Sequence, residues 1–254
     1  MENTIRKIAI YGKGGIGKST TVSNVAAALA ESGRCVMQIG CDPKSDSTTG
    51  HTGGRRIPTV LDSIRDRGDA VRLEDLVFRG EDCVLCVEAG GPTPGVGCAG
   101  RGIIAAFEKL DALHAFQVYQ PDIVLYDVLG DVVCGGFAMP IRGGYADEVF
   151  VVTSGEIMSL YAAGNIAAAV RNFRAKGYAR FGGLILNAKG FEGEAEKVEE
   201  LARELDARVI AAIPRDTDVQ RAEEQRRTVV AAFPDSEMAG RYRALARLLE
   251  QEAV

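Results

Sequence analysis

Gly12-Lys13-Gly14-Gly15-Ile16-Gly17-Lys18-Ser19-Thr20, near the amino end, fits the pattern G-x-x-x-x-G-K-[ST]. The chemistry such a stretch supports is phosphate binding. Its glycines let successive backbone N–H groups turn inward and cradle phosphate oxygens. A helix starting directly afterwards adds partial positive charge at its first turn. Lys18 can reach the β- and γ-phosphates of a nucleotide, and the Ser19 hydroxyl is placed to ligate Mg²⁺. A chance Gly-rich turn is the plain alternative. The apolar run Ile8–Tyr11 before the motif and the helical run Thr20–Ala30 after it speak against that alternative.

Two acidic groups stand where a γ-phosphate could be sensed. Asp42-Pro43-Lys44-Ser45-Asp46 follows an apolar run, and Asp127-Val128-Leu129-Gly130-Asp131 follows another. Residues at the carboxyl ends of parallel strands line the ligand crevice. Asp127 then falls where a carboxylate can hold Mg²⁺ through water. Asp42 and Asp131 are candidates to orient or deprotonate the attacking water. The Gly130 N–H can approach a γ-phosphate and leave it after hydrolysis. The plainer reading makes these aspartates helix or turn caps.

Six cysteines are present, at 35, 41, 83, 86, 98 and 134. Cys98 and Cys134 sit in Gly-rich stretches, Gly95–Gly102 and Asp131–Phe137, an odd setting for a packing cysteine. Glycines there leave N–H groups free to approach inorganic sulfide. A [4Fe–4S] cluster normally takes four thiolates, so two per chain suggests a two-fold dimer with each subunit giving two. The competing set is Cys83, Cys86, Cys98 and Cys134, one cluster per chain. Against it, Cys83-x-x-Cys86 lies in an apolar run, where strand positions three apart face opposite ways. Cys35, Cys41 and Cys86 read as packing, and Cys83 has no assigned role.

These residues need a scaffold, and the rest of the chain supplies one. Strand-length apolar runs at 35–40, 83–88, 122–126, 148–153, 183–186 and 209–213 alternate with helical runs at 58–67, 103–113, 158–176, 193–205 and 238–251. That alternation predicts a doubly wound α/β fold with a mostly parallel sheet, read as one domain over 1–254. Net charge is −5 and the pI about 5.3, which speaks against a basic, sequence-nonspecific nucleic-acid binder. No run of 18 apolar residues occurs, and the amino end has no signal-type apolar stretch, so the expectation is a cytoplasmic protein without a membrane segment.

The quoted motifs together resemble the nitrogenase iron protein family, including nitrogenase-like reductases. The matching stretches are Tyr11–Thr21, Gly40–Thr48, Gly90–Gly102 and Tyr126–Arg142, and the likeness covers nearly the whole chain. Lys13 resembles the early lysine of the deviant Walker A group of dimeric ATPases, which contacts the nucleotide of the facing subunit. The resemblance implies a P-loop NTPase of that type, a homodimer binding two MgATP with one shared [4Fe–4S] cluster. Cys98 and Cys134 match the cluster ligands. Asp42 and Lys44 match the first nucleotide switch, and Asp127 and Asp131 the second. Arg101 matches an ADP-ribosylation site beside the cluster. Asn187, Pro214, Asp216, Gln220 and Glu223 resemble a nucleoside pocket. The implied activity is electron transfer from a ferredoxin or flavodoxin, one electron at a time, to a nitrogenase or nitrogenase-like heteromer, driven by ATP hydrolysis. No nucleic acid and no membrane partner is implied.

Two departures bear on the partner. The chain ends soon after Arg241–Arg247, without the C-terminal stretch of molybdenum-nitrogenase iron proteins, and Thr49–Ile57 is unlike theirs. The latter looks more like reductases serving nickel-tetrapyrrole synthesis, methylthio-alkane reduction or protochlorophyllide reduction. Two rivals share the P-loop. One is a partition or division-type ATPase without a cluster. The other is an iron–sulfur assembly scaffold, which usually carries its C-x-x-C pair late in the chain.

Overall fold

The computed structural model describes residues 5–91, 99–130, 138–174 and 178–251. Strand β1 (Arg6–Tyr11) leads through the glycine loop into helix α1 (Lys18–Glu31). β2 (Val36–Cys41) and α2 (Val60–Arg67) follow. β3 (Phe78–Arg79) and β4 (Leu85–Glu88) form an antiparallel hairpin. Then come α3 (Ala99–Ala112), α4 (Ala115–Tyr119), β5 (Ile123–Val128) and α5 (Met139–Arg142). β6 (Glu148–Thr153), α6 (Ile157–Arg174), β7 (Arg180–Asn187) and α7 (Glu194–Glu204) continue the alternation. β8 (Val209–Ile213), α8 (Thr217–Glu224), α9 (Val229–Ala232) and α10 (Glu237–Glu250) complete it.

The strands lie in the order β3-β4-β2-β5-β1-β6-β7-β8. All neighbouring pairs are parallel except β3 with β4. This is the doubly wound α/β sheet that the alternation predicted. β1 sits between β5 and β6, and the winding reverses beside it. The crevice at its carboxyl end is therefore the topological switch point, where such folds bind ligands.

Successive side chains of a strand face opposite ways, and β1 shows why both faces must be covered. Ile8 and Ile10 pack with Val22 and Val25 of α1 and Tyr242 and Leu245 of α10. Ala9 and Tyr11 join Phe107 of α3 and Ile166 of α6 on the other face. Strands buried on both sides read as continuous apolar runs, which is how they stand out in the sequence.

The structure corrects three boundaries near the chemistry. The helix expected from Ile103 begins at Ala99, which puts Arg101 in its first turn with an exposed side chain. Gly100 and Gly102 lower the local helix propensity, whereas Ile103, Ala106, Phe107 and Leu110 bury one face and carry the helix. The strand expected from Cys83 begins at Leu85. Cys83 is exposed in the hairpin turn at φ 67°, while Cys86 is buried in β4. β5 runs through Asp127 to Val128, so Asp127 is a strand residue rather than the first residue beyond one.

Candidate active site: a phosphate-binding cleft

The loop after β1 is shaped by its glycines. Gly15 and Gly17 hold φ of 75° and 91°, a region that L side chains rarely adopt. A Cβ at Gly17 would stand 2.3 Å from the Asn187 amide nitrogen. Asn187 instead donates from Nδ2 to the Ile16 carbonyl at 2.6 Å and braces the loop from β7. Ile16 N–H closes a turn on the Lys13 carbonyl at 3.1 Å. α2, α8, α9 and α10 begin on side-chain caps, whereas α1 begins on Gly17 without one. The first amides of a helix have no intrahelical acceptor, so those of α1 suit an anion.

A cavity of about 640 Å³ opens in front of this loop. Its walls are Lys13 to Thr20 without Ile16, Ser23 and Asn24 of α1, Asp42 to Thr49 in part, and Glu223 to Thr228 in part. Its size and polar lining fit a nucleoside triphosphate.

On the cavity floor, Lys18 forms a buried salt bridge with Asp127, the two side chains being 6% and 0% exposed. Ser47 donates from Oγ to the other Asp127 oxygen at 2.6 Å. Lys18 Nζ also stands 3.4 Å from Ser19 Oγ. Lys18, Ser19 and the strand-end carboxylate of Asp127 therefore meet at one point. Gly130, just beyond β5, packs directly on the loop: a Cβ there would stand 2.1 Å from the Gly12 carbonyl oxygen.

The other expected residues divide. Lys13, Asp42 and Lys44 line the cavity. Asp42 also accepts from Lys44 N–H through Oδ1 at 2.9 Å, so the turn-capping role foreseen for it is present as well. Glu223 lines the cavity and accepts from Thr20 Oγ1 at 3.0 Å, tying α8 to α1. Asp216 caps α8 through Asp218 N–H at 2.7 Å, and Gln220 is exposed on that helix. Neither these two nor Pro214 lines the cavity. Cys98, Cys134 and Asp131 lie outside the described residues. Among the described residues no group of three or more His, Cys, Asp or Glu gathers as a metal site, and no helix is long and apolar enough to cross a membrane.

Several site residues carried no signal in the sequence. Ser47 holds Asp127 yet reads as an ordinary loop serine. Asn24 accepts from Val229 and Val230 N–H at 2.7 and 3.2 Å and so positions the cavity's far wall. Glu88 accepts from Thr48 N–H and Oγ1 at 2.7 and 2.8 Å, while its second oxygen is buried with no partner among the described residues. Burial raises the Glu88 carboxyl to about 7, against the Thr48 hydrogen bonds and with the help of nearby Asp127 and Asp46.

The fold, the glycine loop and the Lys18–Ser19–Asp127 meeting point define a P-loop ATPase. A family model described as "4Fe-4S iron sulfur cluster binding proteins, NifH/frxC family" matches residues 6–254, and the chain belongs to that family. Among solved structures it is similar to the septum site-determining protein MinD of Pyrococcus horikoshii OT3, complexed with Mg-ADP. The identity is 22%, coverage is 98% of this chain and 100% of that one, and the TM-score is 0.75. It is similar also to a ParA family ATPase from Chlorobium tepidum TLS, at 20% identity, 97% and 99% coverage and TM-score 0.72. A third is cobyrinic acid a,c-diamide synthase from Mycobacterium smegmatis with bound ADP and magnesium, at 19% identity, 96% and 93% coverage and TM-score 0.66. At these identities the likeness is one of fold.

Proposed function

We propose that this chain is an ATP-driven electron carrier, a homodimer whose subunits share one [4Fe–4S] cluster through Cys98 and Cys134. It takes single electrons from a ferredoxin or flavodoxin and passes them to a nitrogenase or nitrogenase-like heteromer. The observation that carries the reading is the contact of Gly130 with the Gly12 carbonyl. Cys134 follows Gly130 by four positions, so whatever shifts the phosphate loop shifts the start of the segment that holds this thiolate. Cys98 lies on the segment after β4, which leaves the same edge of the sheet.

Two of the four described cysteines support this division of labour. Cys41 and Cys86 are buried, and burial drives both thiols well above their ordinary range, which suits packing rather than ligation. Ile157, Met158 and Tyr161 are 78%, 60% and 67% exposed at the start of α6, on the sheet edge that carries the cleft. Their apolar surface suits burial against a second copy.

Each side chain then has a task. The loop amides and Lys18 bind the nucleotide phosphates. Ser19, with Asp127 behind it, holds Mg²⁺. Asp42 and Asp131 orient the attacking water and accept its proton, and Lys13 reaches the facing subunit's nucleotide. The cluster, when bound, supplies one-electron redox chemistry at low potential. Binding energy at the phosphates selects the dimer form that docks on the catalytic partner.

The test is iron content and EPR of anaerobically purified protein. About four iron per dimer is expected, lost in Cys98→Ser and in Cys134→Ser and kept in Cys83→Ser. An iron-free wild-type protein with full ATPase activity would overturn the carrier reading.

A further inference from the structure

A line of buried polar side chains runs from the β3–β4 hairpin to Asp127. His51 is 1% exposed. Its Nδ1 stands 2.6 Å from Asp82 Oδ2, and its Nε2 stands 2.9 Å from Gln38 Oε1. Gln38, on β2, is wholly buried. Its Nε2 lies 2.9 Å from the Ser47 carbonyl, 3.0 Å from Ser47 Oγ and 3.1 Å from Ser23 Oγ. Ser47 Oγ completes the line at Asp127.

From the Ser47 carbonyl outward to His51 Nε2 the direction of each bond follows from the acceptors, whereas the donor of the His51–Asp82 bond is set by which of the two groups carries the proton. A carbonyl only accepts, so the Gln38 atom facing the Ser47 carbonyl is the nitrogen. Its oxygen then faces His51, and Nε2 of that ring carries a hydrogen. Ser23 spends its own hydrogen on the Ser47 carbonyl at 2.9 Å and accepts from Gln38. The Gln38 amide has two hydrogens for three acceptors, so Ser47 Oγ shares one with a neighbouring oxygen and keeps its own single hydrogen for Asp127. A donor supplied by His51 thus fixes the Gln38 amide, and the amide fixes the Ser47 hydroxyl.

We propose that Gln38 and His51 are positioning residues for the ATPase reaction. By aiming the Ser47 hydrogen at Asp127 they hold this carboxylate oriented toward Lys18 and toward Mg²⁺. The role rests on the reading of Asp127 as the Mg²⁺-side carboxylate. It needs the buried donor sequence, because a serine with a free rotor can turn its hydrogen elsewhere. Asp82, 17% exposed, anchors the outer end, so the hairpin turn and the nucleotide floor share one hydrogen-bonded line.

The experiment compares ADP affinity with and without Mg²⁺ by calorimetry, in the full-length protein. Gln38→Glu keeps the shape and reverses the polarity, and Gln38→Met removes the donor without adding charge. Both are expected to lose about tenfold or more of the affinity that Mg²⁺ adds, with metal-free ADP bound within about twofold of wild type. His51→Leu should behave likewise, and His51→Gln, which restores an N–H donor, should recover most of the loss. Histidine-selective ¹⁵N NMR, simple with two histidines, should show a hydrogen on His51 Nε2. Folded Gln38→Met with an undiminished Mg²⁺ effect, or a bare His51 Nε2, would overturn the relay. A wild-type protein in which Mg²⁺ adds nothing would instead overturn the reading of Asp127, and the relay with it.

Discussion

Gly130 lies flush against Gly12: a methyl group at position 130 would stand 2.1 Å from the Gly12 carbonyl oxygen, 2.5 Å from its carbon and 2.9 Å from Lys13 Cα. All three contacts are backbone, so no side-chain rotation can relieve them. The end of β5 and the phosphate loop are in this sense one surface.

Gly130→Ala should therefore push the loop off its geometry. Overpacking of this kind costs about 1–3 kcal/mol. The expected outcome is a folded protein with a lowered denaturant midpoint and ATP turnover reduced by about tenfold or more, since misplaced phosphate contacts act on the barrier directly. Unchanged turnover would show that Gly130 and the loop move independently.

The Lys18–Asp127 pair is buried on both sides. Lys18→Met leaves a carboxylate, and Asp127→Leu an ammonium, without its counter-charge. Each should lose about 3–5 kcal/mol in urea unfolding, and the double variant much less than their sum. Additive losses in the double-mutant cycle would argue that the pair contributes nothing as a pair.

Glu88 predicts a pH dependence. Its carboxyl is raised by burial from an ordinary 4.5 to about 7. The folded state therefore binds more protons than the unfolded one between those values. The stability linked to this group is fully present below about 4.5 and is lost as pH rises to about 7, amounting to about 3 kcal/mol over the window. Glu88→Gln, which keeps an acceptor for Thr48, should flatten that slope. The measurement is the wild-type minus variant difference in unfolding free energy, expected to fall as pH climbs from 4.5 to 7.

Thiol chemistry should separate the cysteines. Cys83 is exposed, while Cys41 and Cys86 are fully buried with raised thiols. Iodoacetamide on native protein should modify Cys83 and spare the other two until denaturant is added, as read by peptide mass mapping. Early labelling of Cys86 would show that β4 opens locally.

Much of the fold was legible because its signals are local. β1 and β6 follow from apolar runs that a strand buried on both faces requires, and the glycine loop follows from its own spacing. The helices α8 and α9 were missed. α8 is short and largely polar, and α9 spans Val229–Ala232 alone. Arg101 read as a loop residue because two neighbouring glycines hid a helical turn that packing sustains.

By itself the sequence determined the P-loop, the order of strands and helices along the chain, and the residue types able to bind phosphate and metal. Each depends on neighbours within a few positions. Which distant residues meet was decided only by the tertiary structure. Residues 18, 38, 47, 51, 82 and 127 come from α1, strands β2 and β5, the segment after β2 and a hairpin turn, and no local pattern joins them. Parallel pairing of β2 with β5 sets Gly40 beside Asp127, and that register brings the polar line together. A buried polar group must find its partner wherever the chain crossing places one, so its role is written in the crossing and not in the residues beside it.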